Sequence, residues 1–288
     1  GFGLAFTAQY RFAAAESVSK DFIPNAISIV LIGGIFSALL GPTIATATKD
    51  LILDKLYVGS YISLSLLTII PVFFLSFYKN EKKITINKQF RTRGVIELLK
   101  KPKIIQAISA ASFAYAIMTF IMTATPISMH IIDNISLYKT GLVIQWHVIS
   151  MFLPSLITGY LIKKYKHTKI MYLGITSLFV CLLINLIGQN FLNYLLSLIF
   201  LGIGWNFLNI SATSLLVTSY EQNEKFQAQG ANDFIVFSVQ ATASLLAGYS
   251  IIIFNWKSIN MACIPILLIL VLLIYVSNRK KNKKSIFS

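Results

Sequence analysis

GIGWNF, residues 202–207, is a second rendering of GFGLAF, residues 1–6: two glycines at i, i+2 followed by apolar and aromatic residues, both inside apolar sequence. Its first glycine lies 201 residues after Gly1. A motif met twice at such a distance marks a repeated bundle, so the surroundings of the two copies decide the fold.

Those surroundings are apolar. Of the 288 residues 56% are hydrophobic and 12% charged, whereas soluble domains carry about a quarter charged residues. A bilayer core about 30 Å thick takes about 20 apolar residues in a helix. Runs of that length occur near 26–51, 57–78, 104–129, 137–162, 170–189, 191–216, 228–254 and 258–276, with a shorter one at 1–15. An all-α membrane protein with about nine spans is expected. Cys181 and Cys263 both fall inside apolar runs and read as small hydrophobes. No metal or cofactor motif appears.

The net charge of +15 is explained by topology. Lys and Arg are retained on the cytoplasmic side of short loops. Of the 25 basic residues, 21 fall on alternate connections that share one side, including the tail Arg279, Lys280, Lys281, Lys283 and Lys284. Lys49, Lys55, Lys139 and Lys257 fall on the other. The C-terminus is therefore expected in the cytoplasm and the chain in a cell (inner) membrane, with the lipid bilayer as partner and no nucleic acid.

The basic stretch KNEKKITINKQFRTRGVIELLKKPK at 79–103 is the one sizeable connection. It separates three spans from six. GIGWNF sits in the fourth span after it, so GFGLAF should sit in the fourth span of the preceding half. The expected organisation is residues 1–78 as the later part of a first six-helix bundle (end of helix 4 to helix 6), 79–103 as a cytoplasmic linker, 104–276 as a second six-helix bundle and 277–288 as a basic tail. About nine of twelve helices would then be present, the first three and the start of the fourth lying upstream of Gly1.

The chain resembles the major facilitator superfamily along its whole length. The strings YRFAAAE (10–16), IMTATPISM (121–129), VIQWHVISMFLPSLITGYLI (143–162), GIGWNFLNISATSLL (202–216) and QGANDFIVFSVQATASLLAG (229–248) carry the resemblance to a bacterial branch of permeases. GGIFSALLGPTIAT (33–46) is similar to the Gly-Pro motif of the fifth helix, with Gly41 and Pro42 kept. GYLIKKYKHTK (159–169) is similar to the loop motif between the second and third helices of a half, with Lys163 where the pattern has an acid. The resemblance implies a two-bundle fold, alternating access and a cytoplasmic gate. The gate residues it points to here are Arg11, Glu16, Lys163, Lys164 and Asp233.

Helical spacing selects the remaining candidates. Gly202, Asn206, Asn209 and Thr213 share one stripe, and two amides within hydrocarbon need partners or water. They line a cavity or bond neighbouring helices. His147, Ser150 and Pro154 share a face beside Gln145. His147 is a gating or proton-carrying group, or a satisfied hydrogen bonder. Tyr115, Thr119, Met122 and Pro126 share another face, and the proline of TATP should bend that helix. Asp233, Phe237, Gln240, Ser244 and Gly248 form a stripe whose acid complements a helix N-terminus, pairs with a base or belongs to the gate.

A substrate cavity of Tyr115, Thr119, Gln145, His147, Asn206, Asn209 and Gln240 is expected. With neither Lys, Arg, Asp nor Glu at mid-depth, a neutral or zwitterionic, partly apolar solute is favoured. The functional expectation is a secondary active permease for a small organic solute, acting as a monomer, with a proton as the coupling ion under consideration. An inactive truncated relative, or a membrane-embedded sensor or enzyme, is the alternative. HExxH, a nucleophile elbow and paired mid-membrane acids are all missing from the sequence, which argues against an enzyme.

Overall fold

A computed structural model describes residues 2–52, 55, 57–77 and 94–286. Residues 79–93 of the expected linker and the end of the tail lie outside the described residues. Eight helical stretches among the described residues are long and apolar enough to cross a bilayer: Lys20–Ala47, Val58–Ser76, Pro102–Ile132, Leu137–Tyr165, His167–Ile187, Phe191–Val217, Gln222–Ile253 and Trp256–Arg279. Each corresponds to one of the eight long runs read from the sequence.

The helices are α1 (Phe2–Glu16), α2 (Ile23–Ala47), α3 (Val58–Leu67), α4 (Ile69–Ser76), α5 (Val95–Leu99), α6 (Pro102–Pro126), α7 (Leu137–Phe152), α8 (Ser155–Tyr165), α9 (His167–Ile187), α10 (Phe191–Val217), α11 (Lys225–Ile253) and α12 (Trp256–Ile286). They fall into two units. Gly1–Gly34 together with Thr92–Ser288 form one, and Ile35–Arg91 form the other. In the second, the Ser60 hydroxyl donates to the Ala45 carbonyl at 2.6 Å and ties α3 to the end of α2.

In the first unit α10 packs along α9, α7 and α6, while α11 and α12 both lie against α6. Lipid tails are as apolar as leucine, so close packing and inter-helix hydrogen bonds hold such a bundle. Small residues permit the closest crossing. A Cβ on Gly204 of α10 would come 2.9 Å from the Gly174 carbonyl of α9 and 2.7 Å from Leu178. Asn185 donates to Asn260 at 2.8 Å, and both are fully buried. That bond joins α9 to α12, two helices whose sparse polarity suits them to face lipid elsewhere.

Helix ends follow local chemistry. Asn190 accepts from the Asn193 amide at the start of α10, and Ser136 does the same for Lys139 at the start of α7. Pro102 occupies the first turn of α6, where its missing N–H costs nothing. The α-helical hydrogen-bond pattern of α6 ends at Pro126, the residue expected to bend it, and the chain continues as a π-helical stretch, Ile127–Ile132. The Tyr194 hydroxyl of α10 donates to Asp133 at 2.6 Å and lies 2.7 Å from the Ser128 hydroxyl, pinning that stretch. Pro154 separates α7 from α8 within a single membrane-length stretch.

Candidate functional site

Arg11 projects from α1 into a nearly dry site formed with α10 and α11. Its Nη2 donates to the Asp233 carboxylate at 2.7 Å, with the two side chains only 7% and 13% exposed. Its Nη1 donates to Asn209 at 3.4 Å. Asp233 also accepts from Gln9 at 2.7 Å and Asn232 at 3.0 Å. A carboxylate removed from water needs such a set of donors, because its desolvation offsets much of the Coulomb attraction. The arrangement is therefore well bonded yet close to neutral in net stability.

Farther along α1, Glu16 forms the second joint. Lys225 and Gln229, both at the start of α11, donate to its two carboxylate oxygens at 2.8 Å each. Gln229 also donates to the Tyr220 hydroxyl at 2.6 Å. Burial pushes the Tyr220 phenol well above its usual range, opposed by the Gln229 bond and reinforced by the nearby Glu16 charge. Lys101, at the start of α6, pairs with Glu224 at 2.7 Å.

Of the expected gate residues, Arg11 and Asp233 meet in one joint and Glu16 takes part in a second, farther along α1 and at the start of α11. Lys163 and Lys164 join neither. Both stand exposed at the end of α8, where Lys164 lies over the Tyr165 ring at 5.2 Å, and neither makes an ion pair among the described residues. A solvated lysine has no energetic reason to fold back onto the cluster.

The cavity candidates separate by partner. Asn206 is fully buried; it accepts from Thr158 and donates to the Met151 carbonyl and Ser155 hydroxyl, each at 2.7 Å. It holds α10 to α7 and α8. His147 is also fully buried, with Nδ1 2.8 Å from the Leu198 carbonyl. Gly202 lies beside it, where a Cβ would come 2.8 Å from the His147 carbonyl. Thr119 is buried, while Tyr115, Gln145 and Gln240 are partly exposed.

An aromatic group lies next to the Arg11 site. Trp205 of α10 meets Tyr115 of α6 edge-on at 5.3 Å and Phe152 of α7 at 6.0 Å, and Tyr115 meets Phe237 of α11 at 6.2 Å. Tyr115 lies within electrostatic reach of both Arg11 and Asp233. Trp205, Phe152 and the Glu16 partners Lys225 and Gln229 escaped the sequence reading. Trp205 stands one helical turn before Asn209, and that i, i+4 spacing was the available signal.

Membrane-length helices packed around a buried ionic joint define a polytopic membrane protein. The chain belongs to the major facilitator superfamily, which it matches over residues 1–243. It is 38% identical over 281 residues to the riboflavin transporter RfnT of Brucella anthropi, covering 95% of this chain and 69% of that protein. It is 27% identical to the uncharacterized MFS-type transporter YddS of Bacillus subtilis, covering 93% and 67%. The crystal structure of a bacterial homologue of the iron transporter ferroportin in an outward-facing state shares the fold, with a TM-score of 0.64 at 11% identity, covering 93% of this chain and 67% of that one. The expected family and helical fold are thereby established, and with them a multi-pass membrane permease for a small solute.

Proposed function

We propose that the protein carries a neutral, planar heteroaromatic solute of the riboflavin kind across a cell membrane by alternating access, and that it is not an enzyme. The substrate class rests on the 38% identity to a riboflavin transporter over most of this chain, and the buried charges beside the aromatic group, Arg11 and Asp233, neutralise each other. Residues 1–78 belong to one moving half in this reading and 104–276 to the other, with 79–103 as a cytoplasmic linker and 277–288 as the tail. The protein works as a monomer with its C-terminus in the cytoplasm of the inner membrane.

The observation that carries the mechanism is the Arg11–Asp233 pair, which links α1 of one proposed half to α11 of the other. Together with Glu16 and Lys225 it forms the cytoplasmic gate. Each ion would exchange its partner for water when the halves separate, so a buried pair of small net stability suits a contact that must break in every cycle. Tyr115, Thr119, Asn209 and Gln240 face the solute path, while Gln145, His147 and Asn206 stand in the wall that keeps α7, α8 and α10 together. Lys163 and Lys164 act at the cytoplasmic mouth as solvated charges.

The test is uptake of labelled riboflavin by cells that cannot make it, expressing the full gene product or an empty vector. Uptake that saturates, and that excess unlabelled riboflavin suppresses, is the expected result. Uptake equal to the vector control would overturn the substrate class.

A further inference from the structure

The ring cluster has a chemical asymmetry that packing alone leaves unexplained. Trp205 is 3% exposed, and its indole N–H meets no acceptor among the described residues. Arg11 is 6% exposed, and its Nε–H is likewise without an acceptor there. Tyr115 meets Trp205 edge-on and its hydroxyl interacts with the Arg11 guanidinium, so the two residues that carry these donors both neighbour one ring. A buried donor left unbonded is destabilising, and more so where no water can reach it. Tyr115 and Phe237 are only partly buried, Phe152 is partly buried with its ring packed against Gly34 of α2, and Trp205 is nearly closed off. Trp256 also has an unbonded indole N–H, but it is 1% exposed and packed against fully buried Tyr194, with no comparable opening.

We infer that Tyr115, Phe152, Trp205 and Phe237 form the slot that receives the flat ring of the transported solute, with the Trp205 indole N–H and the Arg11 Nε–H donating to ring carbonyls or other ring acceptors. The inference rests on the transport reading above and narrows it: two donors with no matching acceptor select an uncharged, acceptor-rich heteroaromatic. A sugar alcohol has no ring to stack, and a cationic dye would place positive charge against Arg11. Aromatic edges rotated off one another present faces for stacking, an interaction that tolerates variation in the ring system. The slot adjoins Arg11, so ring binding and the state of the Arg11–Asp233 joint share a residue.

The experiment uses the purified full gene product, with quenching of ligand fluorescence as readout and three probes: riboflavin, lumichrome (the ring without its side chain) and ribitol (the side chain without its ring), the last scored by competition. Riboflavin and lumichrome should bind and ribitol should not compete. W205F, which keeps a ring but removes the N–H, should weaken both ligands about tenfold; W205L should weaken them further; W256F should leave affinity unchanged. Thermal unfolding checks that each variant is folded, and W205F decides the matter should W205L fail to fold. Riboflavin binding that is unchanged in W205F overturns the slot while leaving the transport reading intact. Wild-type protein that binds neither ring probe overturns the substrate reading itself, and the slot with it.

Discussion

Arg11 and Asp233 are separated by 222 residues and meet at 2.7 Å with hardly any exposure to water. Removing one ion from such a pair leaves the other buried and uncompensated, at a cost of about 3–5 kcal/mol. D233N and R11Q should each lower riboflavin uptake at least tenfold and lower the unfolding temperature. The exchange R11D/D233R restores opposite charges to the joint and should recover part of both losses. Uptake by the double variant no better than by either single one would show that the two residues do not act as a pair.

Asn206 and Asn185 are both fully buried amides with different duties. Asn206 bonds two neighbouring helices through three groups, whereas Asn185 makes its one short side-chain bond to Asn260. Inter-helix hydrogen bonds in membranes average about 0.6 kcal/mol. N206A should therefore destabilise the protein by about 2 kcal/mol and N185A by about 1 kcal/mol, as read from unfolding in mixed detergent. Equal losses would mean that the short contacts to Thr158 and Ser155 contribute little.

The spans were readable because hydrocarbon demands about 20 consecutive apolar residues, a signal that few other forces disturb. In the GIGWNF stretch, Gly202 and Gly204 both stand at close helix crossings, which is where packing keeps residues small. Pairings were another matter. Asp233 stood out as a carboxylate at the edge of a span, but nothing local indicates which of 25 basic residues reaches it. Lys163 and Lys164 drew attention through a motif, yet the end of α8 leaves them in solvent. Trp205 escaped notice because an aromatic residue inside an apolar helix has the same appearance whether it packs or binds. Its missing acceptor, beside the partly exposed rings of Tyr115 and Phe237, separates it from a core tryptophan such as Trp256.

The distribution of basic residues makes a prediction independent of any side-chain contact. Reporter domains fused after Ser288 and within residues 79–93 should both indicate cytoplasm, because 21 of 25 basic residues lie on that side. A periplasmic signal from either fusion would reverse the assignment of the Arg11 joint to the cytoplasmic gate.

Glu16 and Lys225 offer the most direct check on whether that joint must open. They pair at 2.8 Å through two long side chains, so cysteines at both positions would be within reach of a short thiol-directed cross-linker, though not of each other. In a background with Cys181 and Cys263 replaced, E16C/K225C should retain measurable uptake, since the Arg11–Asp233 pair remains. Treatment with a bifunctional methanethiosulfonate should abolish uptake, and reduction should restore it. A monofunctional reagent of the same chemistry should have little effect, which separates tethering from simple modification. Cross-linked protein, verified by mass, that still transports at the untreated rate would show that α1 and α11 stay together throughout the cycle. In that case the ionic joint is a fixed strut and the gate lies elsewhere.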